Sequence, residues 1–432
     1  MKNKVVGQST VKKLVILAAF VALVFGVSMP ALAEEVNEVR IGVIWPMTGP
    51  IPYLGNLCKT VTDLGEDLIN KSYDIDSPDD IFRSKGLPNL GGAKVRLING
   101  DDEGNADVGR ATAERLITVE KAHALLGTVM SGVTLTISAV AERYGIPMVN
   151  SNSTSPKLTQ RGYKWFFRTT PHAHTFVGTI LEFLKDLNET KKDVDIKTIA
   201  VVCEDTQWGQ DAAEVIRNKA PQFGFKIAVD VAYPHESTDV EAEVLRVKTT
   251  KPDAIFMSSY DSDALLFQKT YKKYDVNIPI VGNDTGHQDT IFAKTLGKAA
   301  NYVMTRDLWS DAMLEKIPIA KKLDELLKAR GFEEGMAATQ GRVFIGFLAL
   351  VDAINRAGST DPEVIRQALV RTDIPGSYLS LPWEGVKFDE TGQNIYGKPI
   401  ITQWHDGKLK AVWPWRIAET EVVWPLPPWS ER

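Results

Sequence analysis

The sequence predicts an α/β fold with two doubly wound parallel sheets, and two observations carry this prediction. Short apolar runs typical of strands alternate with helical patterns along most of the chain. The strand runs are continuously apolar rather than alternating, which is typical of parallel strands that helices cover on both faces. Two such series flank the short stretch 163–170, so a chain of 432 residues divides into two lobes.

The first series contains four strands and three helices. Its first helix, predicted over 56–70, places Leu57, Val61, Leu64 and Leu68 on one face, at spacings of 4, 3 and 4. The stretch that follows, rich in Asp, Pro and Gly, is predicted to be a surface loop over 71–92. The strands are predicted over 39–45, 94–99, 122–126 and 145–150, and the other two helices over 107–121 and 133–144.

The second series repeats the alternation of strands and helices. The stretch 404–429 contains five Trp and is too rich in Pro for a helix, so we expect strand and extended chain that wrap over a lobe. The strands of the second series are predicted over 197–203, 226–233, 254–257 and 278–282. Helices are predicted after the first of these strands, between the last two, and over 241–249, 335–357 and 361–371.

Residues 1–33 have the features of a secretory signal peptide. Four lysines precede an apolar run over 14–29, and Pro30-Ala31-Leu32-Ala33 ends the segment as an A-x-A cleavage site. The apolar run has sixteen residues, fewer than the roughly 20 that a spanning helix needs, which disfavours a retained membrane anchor. We therefore expect cleavage after Ala33 and a periplasmic mature chain.

Charge and cysteine content exclude several classes of partner. Without the four lysines of the signal segment, the chain has 46 basic and 55 acidic residues, a net charge of −9. This charge fits neither a nucleic-acid-binding surface nor attraction to anionic lipid. The compartment would permit a disulfide, but Cys58 falls in a helical pattern and Cys203 in a distant strand pattern, which favours two buried thiols over a bridge.

The motifs of common α/β enzymes are missing from the sequence. The first strand is not followed by G-x-G-x-x-G, and no P-loop, H-E-x-x-H or G-x-S-x-G occurs. The six His are scattered, and His172 with His174 alone would not make a metal site. A calcium loop starting at Asp74 is rejected, because Asp79 replaces its glycine and Lys85 its glutamate. We expect no catalysis, no cofactor and no metal.

The hydroxyl-rich stretch 151–163 points to a bound anion. It contains Ser151, Ser153, Thr154 and Ser155, and it follows an apolar run that ends as a strand. Hydroxyls and free backbone N–H groups at a strand's carboxyl end can donate together to one carboxylate. The alternative is that these hydroxyls only cap a helix and close a turn.

Polar residues follow the other predicted strands as well, and in open parallel sheets this edge holds the ligand. The first series supplies hydroxyls and Gly turns, including Ser131, whereas the second supplies Trp208, Tyr260 and Asp284. Facing each other across a cleft, the two sets suit a zwitterion, with donors for its carboxylate and an acid and an aromatic face for its ammonium. The structural alternatives are that Ser131 caps a helix and that Trp208 is ordinary core.

On these residues, the chain resembles the periplasmic substrate-binding proteins of branched-chain amino-acid (Leu/Ile/Val-type) ABC transporters. The stretch 41–50, IGVIWPMTGP, looks like that family's first strand and its Pro-x-(Ser/Thr)-Gly turn. The stretch 153–163, continuing to Phe167-Arg168-Thr169, is a specific match. The stretch 387–392 and Gln403-Trp404 match the family's last strands in the second lobe. The resemblance covers essentially the whole mature chain.

The resemblance implies a type I periplasmic binding fold, in which three crossovers join two lobes, here near Pro171, Thr305 and Val386. Lobe 1 would comprise 34–170 and 306–385, and lobe 2 would comprise 171–305 and 386–432. The implied protein is a monomer that binds a small molecule by closing its lobes, carries out no chemistry and hands its ligand to a membrane permease.

The resemblance also implies roles for eight residues. They are Ser131, Asn152, Ser153 and Thr154 at the ligand carboxylate, Tyr260 and Asp284 at its ammonium, Trp208 as the cover from lobe 2, and Tyr53 in the side-chain pocket.

Two departures from the family pattern leave the ligand open. The family's ammonium-binding Glu is the shorter Asp284 here, and the aromatic expected one place after Tyr53 is Leu54. A branched-chain or other apolar amino acid is the expected ligand, and an aromatic acid or a small amide is the alternative. A module that reports a solute to a membrane receptor would use the same lobes, and the sequence does not separate it from a transport component.

Overall fold

Two sheets, each flanked by helices, organise the chain, and a small two-stranded sheet accompanies them. The computed structural model describes residues 36–283 and 285–432. The predicted signal segment, 1–33, and the predicted ligand residue Asp284 lie outside the described residues. The stretch Asn37–Arg432 forms one compact unit.

The eight strands predicted one by one are present with similar bounds, whereas those over 166–168, 304–307 and 373–375 were not predicted. The described residues form fourteen strands. They are β1 Glu38–Trp45, β2 Lys94–Asp101, β3 Ala124–Gly127, β4 Met148–Asn150, β5 Phe166–Arg168, β6 Thr198–Glu204, β7 Lys226–Tyr233, β8 Ala254–Ser258, β9 Ile280–Gly282, β10 Met304–Asp307, β11 Asp373–Pro375, β12 Gly385–Lys387, β13 Ile400–His405 and β14 Lys408–Trp413.

The helices include every predicted one. They are α1 Pro52–Lys71, α2 Ala106–Thr118, α3 Ser131–Tyr144, α4 Ala173–Thr190, α5 Gln207–Lys219, α6 Glu241–Thr250, α7 Asp261–Lys273, α8 Thr290–Leu296, α9 Met313–Lys316, α10 Pro318–Ala329, α11 Ala338–Ala357 and α12 Pro362–Val370. The prediction omitted α4, although Phe176, Ile180, Leu184 and Leu187 recur at helical spacing and are buried.

The first sheet has the strand order β2-β1-β3-β4-β5, and all its strands are parallel. Trp45 at the end of β1 pairs with Asp101 at the end of β2, and Ile44 pairs with Gly127 at the end of β3. The carboxyl ends of neighbouring strands therefore lie side by side, and the turns that follow them share one edge of the sheet.

The second sheet has the order β14-β13-β10-β9-β8-β6-β7, with five parallel strands and an antiparallel pair, β13 and β14, at one edge. Along β6, Ile199, Val201 and Cys203 face one hydrophobic cluster, whereas Ala200 and Val202 face another. Both faces of the strand are buried, which is why its sequence is continuously apolar. These two sheets confirm the predicted α/β class.

Both cysteines are buried free thiols, as the sequence favoured. Cys58 lies in α1, which packs on the first sheet, and Cys203 lies in β6 of the second sheet. Burial raises the pKa of the Cys203 thiol to about 12 and that of Cys58 further still, so both stay protonated and unreactive at neutral pH.

The stretch 71–92 is more than the predicted surface loop. Arg83 does sit at the surface with three aspartates, but Ile81, Phe82 and Leu87 are fully buried. The ring of Phe82 lies 5.8 Å from that of Phe344 in α11. The composition of this stretch did not reveal the three buried apolar residues, because Asp, Pro and Gly outnumber the few side chains that point inward.

The helix α11 is buried on all sides, from Ala338 through Asn355. It packs against α1, where Gly65 leaves room for the ring of Phe347: a Cβ on that glycine would lie 2.6 Å from the ring. Among the described residues, no single helix meets the length and apolar character of a membrane span, although α11 and α12 do so jointly across a 115° bend.

The end of the chain differs from expectation in one place. The stretch 387–392 was matched to the second lobe's last strands, but β12 pairs with β11 in the small sheet, and the N–H of Arg168 in the first sheet donates to Gly392. The Trp-rich end does form strand and extended chain, with Trp404 buried in β13. The lobe boundaries given above stay a prediction.

We predict that Phe82→Ala destabilises the protein by about 3–5 kcal/mol, because it leaves a cavity against Phe344. Val119→Ala is the control: that side chain is 68% exposed and its truncation should change stability by less than about 0.5 kcal/mol. Urea unfolding of both variants measures the difference. Equal stability of the two variants would mean that 71–92 is only a surface loop.

Candidate functional site

A small cavity lies where the carboxyl ends of the two sheets meet. Its volume is about 10 Å³, room for a single water-sized sphere. A neighbouring cavity of about 130 Å³ shares Ser131, Trp208 and Tyr260 with it. The small cavity is lined by Leu54, Val129, Ser131, Asn152, Ser153, Thr154, Trp208, Tyr260, Thr285 and Arg342.

The structure brings six of the eight predicted site residues together around this cavity: Ser131, Asn152, Ser153, Thr154, Trp208 and Tyr260. Tyr53 itself does not line it, although the next residue, Leu54, does. Tyr53 is half-buried, and burial raises the pKa of its hydroxyl to about 12. Asp284 lies outside the described residues, and its neighbour Thr285 lines the cavity.

Asn150, at the end of β4, holds the hydroxyl turn in place. Its side-chain N–H groups donate to the carbonyls of Gly127 and Thr128, both at 2.8 Å, and its Oδ1 accepts the N–H of Ser153 at 3.0 Å. The hydroxyl of Ser153 lies 2.8 Å from the carbonyl of Val129. The turn is therefore hydrogen-bonded to the end of β3 through its own polar groups.

Ser131 presents a hydroxyl that is available to a ligand. It is the first residue of α3, and its Oγ is buried with no hydrogen-bond partner among the described residues. A buried polar atom without a partner costs about 1–3 kcal/mol, so a bound acceptor would relieve this cost. Thr154, whose carbonyl accepts the N–H of Ala173 at 2.8 Å, lines the same cavity from the hydroxyl turn.

Trp208 and Tyr260 form an aromatic wall on the side of the second sheet. Their ring centroids lie 4.9 Å apart, with the planes inclined by 40°, and both side chains are buried. Trp208 lies in the first turn of α5, which begins after the N-cap Thr206, and Tyr260 immediately precedes α7. Two helix starts therefore fix the wall at the carboxyl ends of β6 and β8.

Behind this wall lies a buried charged cluster, which we call the Glu204 cluster: Glu204, His235 and Asp263. The Nδ1 of His235 lies 3.0 Å from Asp263 Oδ2 and 3.4 Å from Glu204 Oε2. Glu204 Oε2 also accepts the backbone N–H of Tyr260 at 3.1 Å, and the ring of His235 lies edge-on to that of Tyr260 at 5.3 Å. The cluster therefore holds the aromatic wall from behind.

The charges of the cluster follow from its geometry. Burial alone would lower the pKa of His235, but the carboxylates of Asp263 and Glu204 raise it to about 10, so the imidazole is a cation at neutral pH. Burial raises the pKa of Glu204 against the effect of His235 and Thr206. Sequence analysis named the end of β6 as ligand-facing but missed this cluster, because His235 and Asp263 are distant in sequence.

Asp211 connects the hydroxyl turn to α5. Its carboxylate accepts hydrogen bonds from the Ser155 hydroxyl, from Lys157 Nζ at 2.9 Å and from Gln207 Nε2 at 2.8 Å. Ser155 and Lys157 lie between β4 and β5 of the first sheet, whereas Asp211 and Gln207 belong to α5, the helix after β6. This nearly fully buried carboxylate therefore links the two halves of the site.

Asp101 and Asp102, at and after the end of β2, hold the loops around the site. Asp101 accepts the N–H of Met47, and Asp102 accepts the hydroxyl of Thr128, whereas the helix cap is Asn105. Burial raises the pKa of Asp102 to about 6, although the hydroxyl of Thr128 opposes this shift.

Arg342 is the residue that sequence reasoning missed altogether. It lies in α11, is 2% exposed and lines the cavity beside the hydroxyl turn. The signal was present in the sequence: a single arginine begins an apolar helical run, RVFIGFLALV, in which every position is buried. A charge that a helix buries in this way generally has a specific partner or ligand.

A groove of about 730 Å³, larger than either cavity, lies between α4 and the end of the chain. Two of the cations that line it are engaged: Lys219 Nζ donates to the carbonyl of His174, and Lys398 pairs with Glu384. His172 caps α4, with its Nδ1 accepting the N–H of Thr175. Unlike the smaller cavity, the groove does not lie at the carboxyl ends of the parallel strands, where open α/β sheets hold their ligands.

Comparisons with known proteins agree with this architecture. The family model described as Periplasmic binding protein matches residues 38–408. The Leu/Ile/Val-binding protein homolog 7 of Brucella suis biovar 1 (strain 1330) is 27% identical over 417 residues, which cover 95% of this chain and 99% of the relative.

Solved structures share the fold. The leucine-binding protein LivK of Thermotoga maritima superposes with a TM-score of 0.73 at 23% identity, covering 86% of this chain and 97% of LivK. A second solved structure is a solute-binding protein of an ABC transporter from Rhodopseudomonas palustris, in complex with 3,4-dihydroxybenzoic acid. It superposes with a TM-score of 0.69 at 21% identity, and the match covers 86% of this chain and 95% of that protein. At these identities, the likeness shows a common fold of the type I periplasmic binding class.

We predict that the stabilising effect of His235 disappears in alkaline solution. Its pKa in the fold, about 10, lies above its ordinary value of 6.5, so its contribution is complete below pH 6.5 and is lost as the pH rises through 10. His235→Gln should therefore be less stable than wild type at pH 7, and the gap should narrow towards pH 10 in urea unfolding.

The control for this prediction is His174→Gln. His174 has its pKa lowered by burial and stays neutral between pH 7 and pH 10, so its variant should keep a constant stability difference from wild type. A constant gap for His235→Gln as well would show that the imidazole is uncharged in the fold.

Proposed function

The chain belongs to the periplasmic binding protein family, and on that premise we propose that it captures an amino acid for an ABC importer. The observation that carries the proposal is the cavity at the carboxyl ends of both sheets, with hydroxyl donors on one side and an aromatic wall on the other. A site built from two facing edges can enclose a small solute when they approach and release it when they separate.

The ligand would be held as a zwitterion of the branched-chain or another apolar type. Ser131 and Thr154, with the turn around Asn152 and Ser153, would donate to its carboxylate. Tyr260 and Asp284 would face its ammonium. The name of the Brucella relative and that of the Thermotoga leucine-binding protein support this class of ligand.

An aromatic acid is the second candidate, and a specific observation favours it. The Trp208–Tyr260 pair offers a stacking surface larger than an aliphatic side chain requires. The Rhodopseudomonas structure, which holds 3,4-dihydroxybenzoic acid, shows that the fold accepts such a ligand in another protein. The same hydroxyl turn would bind the carboxylate in both cases.

The remaining parts of the proposal follow from the family. The protein would be exported by its N-terminal segment, be cleaved after Ala33, and act in the periplasm as a monomer that hands its solute to a membrane permease. It would carry out no catalysis and use no cofactor. Its lobes would close around the ligand.

We predict that an amino acid or an aromatic acid stabilises the protein after its ligand has been stripped by unfolding and refolding. A ligand at about 100 times its dissociation constant should add roughly 2.7 kcal/mol, which raises the melting temperature. A thermal-shift screen of amino acids, aromatic acids and small amides measures this. If no compound of these classes raises the melting temperature, the solute-binding proposal fails.

We predict that Asp284→Asn distinguishes the two ligand classes. For an amino acid, the substitution would leave a buried ammonium without its counter-ion and weaken binding by about 2–5 kcal/mol. For a plain aromatic acid, it would remove a charge that repels the ligand, so binding should hold or tighten. Calorimetric titration of both proteins with L-leucine and with 3,4-dihydroxybenzoate decides between them.

A further inference from the structure

We propose that the Glu204 cluster is a structural zinc site, a role beyond the solute capture proposed above. His235 supplies an imidazole nitrogen, Glu204 and Asp263 supply carboxylate oxygens, and the three ligand atoms lie within 4.8 Å of one another. The cluster stands behind the aromatic wall and is not among the residues that line the ligand cavity. The ion would stabilise the start of α7 and the loop after β7 and would take no part in contacting the solute.

The spacing of the ligand atoms fits a tetrahedral ion. Zinc binds nitrogen and oxygen ligands at about 2.0–2.2 Å, so two of its ligands stand about 3.3–3.5 Å apart. The Nδ1 of His235 lies 3.4 Å from Glu204 Oε2 and 3.0 Å from Asp263 Oδ2. Both distances are within a few tenths of an ångström of that spacing. The ion would take the place of the proton between the ring and the carboxylates, and that proton would leave to solvent.

Asp263 also offers an oxygen that nothing in the described chain binds. The side chain is 0% exposed, and its Oδ1 has no hydrogen-bond partner among the described residues. A buried carboxylate oxygen without a partner is costly, and a cation bound by both oxygens of Asp263 would remove that cost. Oδ1 would then be the fourth ligand atom, beside Asp263 Oδ2, Glu204 Oε2 and the Nδ1 of His235.

Charge balance favours a divalent ion at this place. Two buried carboxylates share one imidazole, which compensates at most one of their two negative charges. Within the part of the chain that the structure describes, neither carboxylate forms an ion pair with Lys or Arg. A zinc ion bound by a neutral imidazole would balance both charges.

The surroundings of the cluster already orient its ligands. Glu204 accepts the backbone N–H of Tyr260 on Oε2 and the hydroxyl of Thr206 on Oε1, the latter at 2.6 Å. Asp263 Oδ2 accepts the N–H of Glu236 at 3.1 Å. Such bonds are typical behind metal-binding carboxylates, because they fix the direction of each ligand. An imidazole among the oxygens favours zinc over calcium or magnesium, which prefer oxygen ligands alone.

Zinc in this cluster would overturn the expectation, drawn from the sequence, that the protein binds no metal. The ligands come from the end of β6, the loop after β7 and the first turn of α7, and no short motif links them. The fold brings them together because β6 neighbours both β7 and β8 in the second sheet.

The experiment measures zinc binding to wild type, Asp263→Asn and His174→Gln. Each protein is prepared without a histidine tag, stripped with a chelator and titrated calorimetrically with zinc chloride. Wild type should bind a single zinc ion, and Asp263→Asn, which keeps the shape but removes the charge, should weaken binding about 100-fold. His174→Gln is the control and should bind zinc as wild type does, because His174 belongs to the other pair of neighbouring imidazoles, 5.5 Å from the ring of His172.

Three results would overturn the proposal: wild type that binds no zinc, equal affinity in Asp263→Asn, or loss of zinc in His174→Gln. If Asp263→Asn does not fold, anomalous diffraction at the zinc absorption edge, from a wild-type crystal soaked in zinc chloride, locates the ion without a variant. A peak at about 2.0–2.2 Å from His235 Nδ1 supports the site, and a peak only elsewhere overturns it. Solute binding is measured separately by the thermal-shift screen, so failure of one proposal leaves the other standing.

Discussion

The direction of the strands is the constraint on which the rest of this structure depends. Within each sheet the parallel strands end on the same edge, so the turns after β1, β3 and β4 are neighbours although they are distant in sequence. The same holds for β6, β8 and β9 in the second sheet. A site assembled at these edges needs no unusual local structure, because each sheet delivers its polar turns to one place.

A polar site between two apolar cores must satisfy its own hydrogen bonds. The structure does this with residues that do not touch the cavity: Asn150 ties the hydroxyl turn to β3, and the Glu204 cluster ties the start of α7 to β6. Burial of these groups is costly, and hydrogen bonds and opposite charges placed at 3.0–3.4 Å offset much of that cost. The turn and the wall are thereby fixed before they meet a ligand.

Asp211 links the two edges of the site. Asp211 accepts one bond each from Ser155 and Lys157, and Lys157 remains half-exposed, so solvent screens much of that attraction. In the proposed function, this contact would form when the lobes close around the solute and break when they open. In the proposed function, the ligand itself would supply the rest of the closing energy through its contacts with both edges.

The sequence by itself determined the α/β class, most of the parallel strands, the two buried thiols and six residues of the cavity, because these depend on apolar periodicity and on the rule that strand ends carry the site. The tertiary structure alone decided that Phe82 is core, that His235 lies between two carboxylates, and that Arg342 faces the hydroxyl turn. The physical reason is that local patterns record which face of an element is buried. They do not record which distant element covers that face. For the same reason they do not identify the partner of a buried charge.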